Sequence, residues 1–274
     1  MPTTYAHYSF GQRVRQAVGE REGKIIEDYS ELFHFGVHGP DLLFYYNALS
    51  KNSVNQLGSR LHALPGRCFF ENAVKVIRGQ EKQEAFYAYA YGFICHFVLD
   101  VCCHGYINEK IKASGISHAE IEAELDRELM VRDGFNPVSH KVTGHLAPSV
   151  ESARIIQEFF PNIDEKQIYK TMKDMVFYLN MLTAPAKVKR SVIFALLRAS
   201  GHYESMQGLI INYEKNPQCE DSTDKLLLLY EDAIKPAARL ITEFEACVRQ
   251  QAQLGDIYKY NFSSQIPEEK EKQV

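Results

Sequence analysis

Apolar residues recur three and four positions apart along most of the chain, and long alternating runs are scarce, so the pattern predicts helices rather than strands. It places them near residues 6–18, 22–34, 53–78, 82–112, 117–132, 148–160, 164–183, 187–199 and 222–253. Ser117, followed three residues later by Glu120, has the form of a capping box and starts the helix that carries His118 and Glu122 on one face. Turn-forming residues gather at Gly36–Pro40, Asp133–Pro148 and Lys215–Ser222. The expected fold class is all-α. One domain is expected over 1–266, with an amino-terminal half, 1–132, that holds the candidate chemistry and a helical packing half over 148–266. Residues 267–274, PEEKEKQV, are charged and almost without apolar residues, and are expected to be disordered.

One segment breaks the amphipathic pattern. From Ala85 to Ile107 the sequence AFYAYAYGFICHFVLDVCCHGYI is apolar all round, interrupted by His96, Asp100 and His104, each four residues after the last. A run of this length meets the size requirement for a membrane span. A central aspartate with two histidines, and the absence of a second comparable run, favour a buried core helix and no transmembrane segment. Residues four apart on a helix lie nearly one above another, so the two imidazoles and the carboxylate form one row. A bare aspartate there is costly, and a divalent metal held jointly with histidines is the simplest compensation.

Composition narrows the classes. A hydrophobic fraction of 45% supports a sizeable core, and a net charge of -4 with a pI near 6.2 gives no reason to expect a stable nucleic-acid partner. The small basic knot of Lys187, Lys189 and Arg190 reads as a solvated helix end. The first residues show no secretory signal, so a cytoplasmic location is expected, with the six cysteines mostly as buried thiols. Cys102 and Cys103 point about 100° apart on a helix and cannot easily share one ion.

Histidines concentrate early: His7, His34, His38, His62, His96, His104 and His118 all precede residue 120. The pair His118-x3-Glu122 alone is a common surface arrangement, whereas His96-x3-Asp100-x3-His104 inside an apolar helix is far more specific. A mixed imidazole and carboxylate set suits zinc, and iron or manganese accept the same donors. His34 and His38 read as hydrogen-bonding supports, and His140, His145 and His202 as surface or capped histidines.

The segments TTYAHYSFG (3–11), GVHGPDLLFYY (36–46), SRLH (59–62), GFICHFVLDVCCHGYI (92–107) and SHAEIEAELD (117–126) together resemble the zinc-dependent phospholipases C and the related single-strand-specific zinc nucleases. The resemblance implies a multi-helix bundle around a buried cluster of two or three zinc ions. It makes His7 a ligand from the amino-terminal segment, joins Asp41, His62 and His96 at one zinc, makes Asp100 a bridging carboxylate, and joins His104, His118 and Glu122 at a second. Two departures stand out. Six residues precede His7, where secreted members use a processed amino-terminal residue at a third metal, and three residues rather than five separate Asp100 from His104.

The activity implied is metal-dependent hydrolysis of a phosphodiester or phospholipid-type small molecule, with Asp41 as general base, as water-orienting group or purely as a ligand. The alternatives are a nuclease or nucleotidase on the same cluster, and a non-catalytic metal-binding helical protein. Tyr45 and Tyr46 offer aromatic faces to a quaternary ammonium or a base, although LLFYY reads more strongly as the apolar start of the next segment.

Overall fold

In the computed structural model, which describes residues 4–201, 203 and 207–268, every regular element is a helix. The order is α1 (Thr4–Ala17), α2 (Glu20–Asp28), α3 (Ser30–Gly36), a 3-10 helix (Gly39–Tyr45), α4 (Ser53–Ala63), α5 (Gly66–Arg78) and α6 (Glu84–Ser114). Then follow α7 (His118–Arg132), α8 (Val150–Gln157), α9 (Glu165–Leu182), α10 (Lys187–Ala199) and α11 (Glu220–Val248). His202 and residues 269–274 lie outside the described residues.

Several boundaries differ from the periodic pattern for identifiable reasons. The helix expected over 53–78 is two, because Pro65 has no N–H to donate and holds Leu64 extended at φ -77°, ψ 153°. The helix expected over 22–34 breaks at Tyr29, where ψ is 41°. The turn expected at Gly36–Pro40 continues as a 3-10 helix through Tyr45, and α11 runs straight through Pro236. Ser117 does cap α7 by accepting the Glu120 N–H, but the Glu120 carboxylate turns outward to Asn212 and Asn216, leaving the box half formed.

Helix α6 is the axis of the core. Every residue from Phe86 to Asp100 is buried. By length and composition it is able to cross a membrane, yet 83% of its most apolar window is buried inside the protein, so its apolar surface is already covered. Helix α3 lies directly on it. A Cβ on Gly36 would stand 2.3 Å from the Tyr89 carbonyl oxygen, and one on Gly92 would stand 2.3 Å from that of Phe33, so only two facing glycines permit this approach. The main core continues from Tyr5 to Phe262, drawing α1, α7, α8, α9 and α11 around α6.

Helix α10 packs elsewhere, on a small separate core of Leu182, Ala184, Ile193 and Ile210. Of its basic start only Lys187 is solvated; Lys189 and Arg190 depart from the expected solvated end. Lys189 donates to the carbonyls of Asn180 and Thr183, closing the end of α9. Arg190 is buried, donates to the Ile211 carbonyl and lies 4.2 Å from the Tyr213 ring centre.

Candidate metal centre

Four elements converge on the polar row of α6. Helix α1 supplies His7, the 3-10 helix Asp41, the last turn of α4 His62, and the first turns of α7 His118 and Glu122. All eight residues singled out in the sequence come together, in three groups whose donor atoms lie within 4.8 Å of one another: Asp41, His62 and His96; His7, His96 and Asp100; His104, His118 and Glu122. All are buried except His62 and His118, which are partly exposed. No cysteine belongs to a group among the described residues, and burial pushes the Cys103 thiol well above its ordinary range.

The imidazoles are held ready to donate lone pairs. Nδ1 of His62 donates to the Gly58 carbonyl at 2.8 Å, Nδ1 of His96 to Val37 at 3.3 Å, and Nδ1 of His104 to Phe262. Each bond turns Nε2 toward the carboxylates, the orientation a metal-binding histidine needs. The Val37 carbonyl is available to His96 because α3 lies so close to α6. Gly39, at φ +49°, turns the chain into the 3-10 helix, and a Cβ there would stand 2.4 Å from the His96 ring.

The spacings fit a cation. Two ligands about 2.1 Å from a tetrahedral zinc stand roughly 3.4 Å apart. His96 Nε2 lies 3.2 Å from Asp100 Oδ2 and 3.6 Å from Asp41 Oδ2; His7 and His104 Nε2 lie 3.4 and 3.7 Å from Asp100 Oδ1; His104 Nε2 lies 3.3 Å from Glu122 Oε1. Two contacts are shorter, His62 to Asp41 and His118 to Glu122, both 2.9 Å. His96 Nε2, Asp41 Oδ2 and Glu122 Oε2 are buried without a hydrogen-bond partner, which is costly unless something else binds them.

Counting lone pairs limits the occupancy. His96 has one free nitrogen, so the two groups that share it cannot both use it. Giving it to Asp41 and His62 leaves two complete triads, with His7 facing Asp100 as an incomplete third. Asp100 reaches both triads, Oδ2 toward His96 and Oδ1 toward His104.

Charge around the row is strongly coupled. Burial would raise Asp100, yet His104 and His96 hold it well below the usual carboxylate range. Glu122 is likewise lowered against burial by His118 and His104. Burial would lower His104, but Asp100 and Glu122 outweigh it and push it up to about 10.

Beyond these eight, two positions were missed. Asp126, one turn beyond Glu122, is buried and accepts the N–H groups of Tyr5 at 3.1 Å and Ala6 at 2.7 Å. It thereby satisfies the first turn of α1, the helix that carries His7. Burial pushes its carboxyl up to about 7 against those same N–H bonds. The i+4 spacing from Glu122 was the available signal.

The second is His145, which is not the surface or capped histidine expected. Its ring stacks on Tyr8 at 4.0 Å, its Nε2 meets His38 Nε2 at 2.9 Å, and its carbonyl accepts from His34 Nδ1. Burial, with His34 and His140 nearby, lowers it to about 3, so this histidine set is neutral. His34 and His38 are tied to His145 by these hydrogen bonds, and His140 stacks on Phe135 at 4.0 Å instead of standing free in solvent. Tyr45 is buried, and Tyr46 lies under Lys170 at 5.6 Å.

A small cleft, with a cavity volume of about 70 Å³, adjoins the second triad at Glu122. Glu122 and Asp126 line one end, and Val138, Leu179, Leu182 and Leu209 form an aliphatic wall. No curated protein and no solved structure matches the chain. A family model described as zinc-dependent phospholipase C matches residues 6–180, a span that contains every residue of the three ligand groups. The helical fold, the buried histidine and carboxylate groups and this match agree: the chain belongs to the zinc-dependent phospholipase C family.

Proposed function

We propose that the chain hydrolyses a phosphodiester of phospholipid type, with one zinc held by Asp41, His62 and His96, a second by His104, His118 and Glu122, and Asp100 between them. Asp100, with one carboxylate oxygen directed to each triad, is the observation that carries this reading. Bound zinc would supply an acidified water and neutralise charge on the phosphate oxygens. The chain's own residues do the rest. The carbonyls of Gly58, Val37 and Phe262 fix three imidazoles in the tautomer that leaves Nε2 free. Asp41 Oδ1 lies 2.9 Å from His62 Nε2, beside which it would share the ion, and the buried Oδ2, without a hydrogen-bond partner, is placed to bind it as well or to receive a proton from attacking water. His7 and Asp100 provide two donors for a third ion.

The cleft beside Glu122 is lined by Val138, Leu179, Leu182 and Leu209 together with the rings of Tyr45 and His140, which supports an apolar group on the substrate. The test is metal analysis of protein purified without added metal, then assays on a phospholipid analogue, a generic phosphodiester and single-stranded DNA. Two ions per chain with hydrolysis of the lipid analogue supports the reading. Fewer than one ion per chain, or activity confined to DNA, overturns it.

A further inference from the structure

Helix α10 is apolar on both sides. Ile193, with Phe194 and Leu197, faces the small separate core, while Val188, Val192 and Leu196 are 77%, 54% and 64% exposed. These three follow one another at four-residue intervals and form a single outer stripe, with Ala195 and Ala199 exposed beside it. A helix apolar all round is ordinarily buried, and an exposed stripe of this kind marks a contact surface.

Charge indicates what it contacts. No acidic residue occurs from Met175 to Tyr203, whereas Lys187, Lys189, Arg190 and Arg198 do, in a chain whose net charge is -4. Lys187 and Arg198 are exposed near the two ends of α10, to one side of the stripe, with the Arg198 guanidinium 4.0 Å from the Tyr203 ring centre. A second copy packed face to face would set cations against cations. The chain on either side of α10 also builds the cleft beside Glu122, through Leu182 and Ala184 before it and Leu209 and Ile211 after it.

We propose that this face of α10 seats the protein on an anionic lipid bilayer. The Val188, Val192 and Leu196 stripe enters the boundary between headgroups and acyl chains, and Lys187 and Arg198 meet anionic headgroups. The cleft is thereby presented to lipid at the surface; this purpose rests on the phosphodiesterase reading, while the docking itself does not.

The test is flotation of the zinc-loaded full chain with vesicles of phosphatidylcholine alone and of phosphatidylcholine with phosphatidylglycerol. Binding is expected to the anionic vesicles and to weaken with salt. Val188→Gln, Val192→Gln and Leu196→Gln combined should abolish it. Lys187→Gln with Arg198→Gln should weaken it about five-fold per cation, on the order of thirty-fold together. Both variants should keep the wild-type far-UV spectrum and the wild-type rate on a short water-soluble phosphodiester. Absence of wild-type binding, or full binding by the triple variant, overturns the proposal. So does a dimer that the triple variant dissolves while vesicles are ignored. Vesicle binding without any phosphoesterase activity would instead overturn the proposed function and leave the docking face standing.

Discussion

One methyl group added at Gly92 should weaken the metal centre without altering a ligand. A Cβ there would stand 2.3 Å from the Phe33 oxygen, 2.7 Å from the Val37 nitrogen and 2.8 Å from the Gly36 carbonyl carbon. All three are backbone atoms, so no change of rotamer relieves the clash. Helix α3 must withdraw by about 0.7 Å to reach even a 3.0 Å contact. The Val37 carbonyl is already 3.3 Å from His96 Nδ1, and such a retreat carries it beyond hydrogen-bond range. Overpacking costs about 3 kcal/mol, because the resisting atoms are backbone, and the helix preference of alanine returns at most about 1 kcal/mol. The net loss of about 2 kcal/mol lowers Tm by roughly 4–8 °C. Losing the acceptor that orients His96 should weaken zinc by about 10- to 100-fold. Thermal melts of the metal-free protein and a zinc competition titration against a chelator measure the two effects. Gly23→Ala is the control, since its nearest atom outside the helix is the Arg15 oxygen at 4.0 Å, and it should melt at or slightly above wild type. A Gly92→Ala protein that melts like the control, or melts lower yet binds zinc with full affinity, would refute the link between helix approach and ligand orientation.

Asp100→Asn keeps the shape and removes the charge that faces both triads, so both ions should weaken together; clean loss of a single ion, measured by metal content, would refute the bridging position. Asp126→Ala leaves the Tyr5 and Ala6 N–H groups unsatisfied and should cost about 1–3 kcal/mol, with disturbance felt at His7 first. The check is that the two triads keep their ions while any third ion is lost. His145, whose folded value of about 3 lies below its ordinary 6.5, contributes stability that is present above pH 6.5 and lost as pH falls toward 3. Chelator-treated wild type should therefore lose stability on acidification more steeply than His145→Gln, by up to about 1.4 kcal/mol per pH unit in that window. Equal acid slopes in denaturant titrations would show that His145 is not held neutral by burial.

What the sequence made legible was what repeats locally. The four-residue spacing of His96, Asp100 and His104 fixes their common face wherever the helix is placed, and their apolar surroundings announce burial. His7, Asp41 and His62 carry no such pattern: they lie on three other elements, and only resemblance to a family joined them to the row. Asp126 and His145 act across long sequence separations, one on the start of α1 and the other on α3 and its following turn. Helix breaks at Tyr29 and Pro65 were missed because apolar periodicity continues through a bend when both sides of it face the same core. The exposed stripe of α10 was invisible for the opposite reason. Val188, Val192 and Leu196 look like core positions, and only packing shows that the core lies on the other side of the helix.

Helix α6 serves at once as core and as ligand wall, and this ties metal loading to stability without making folding wait for metal. The buried aromatic and aliphatic residues from Phe86 to Leu99 bring α3, α1 and α11 together whether or not an ion is present. Three buried carboxylates, Asp41, Asp100 and Glu122, then need positive charge beside them. Imidazole beside them answers part of this need: Asp100 and Glu122 push His104 up to about 10, and the neighbouring histidines hold both carboxylates low. On the proposed two-zinc reading, zinc at His104 would compete with its proton, so affinity at that triad is expected to rise with pH. Because the apolar core around α6 gathers the donor atoms, little ordering is expected on binding. Binding energy therefore appears chiefly as added stability by mass action, in contrast to small zinc domains, in which the metal creates the fold.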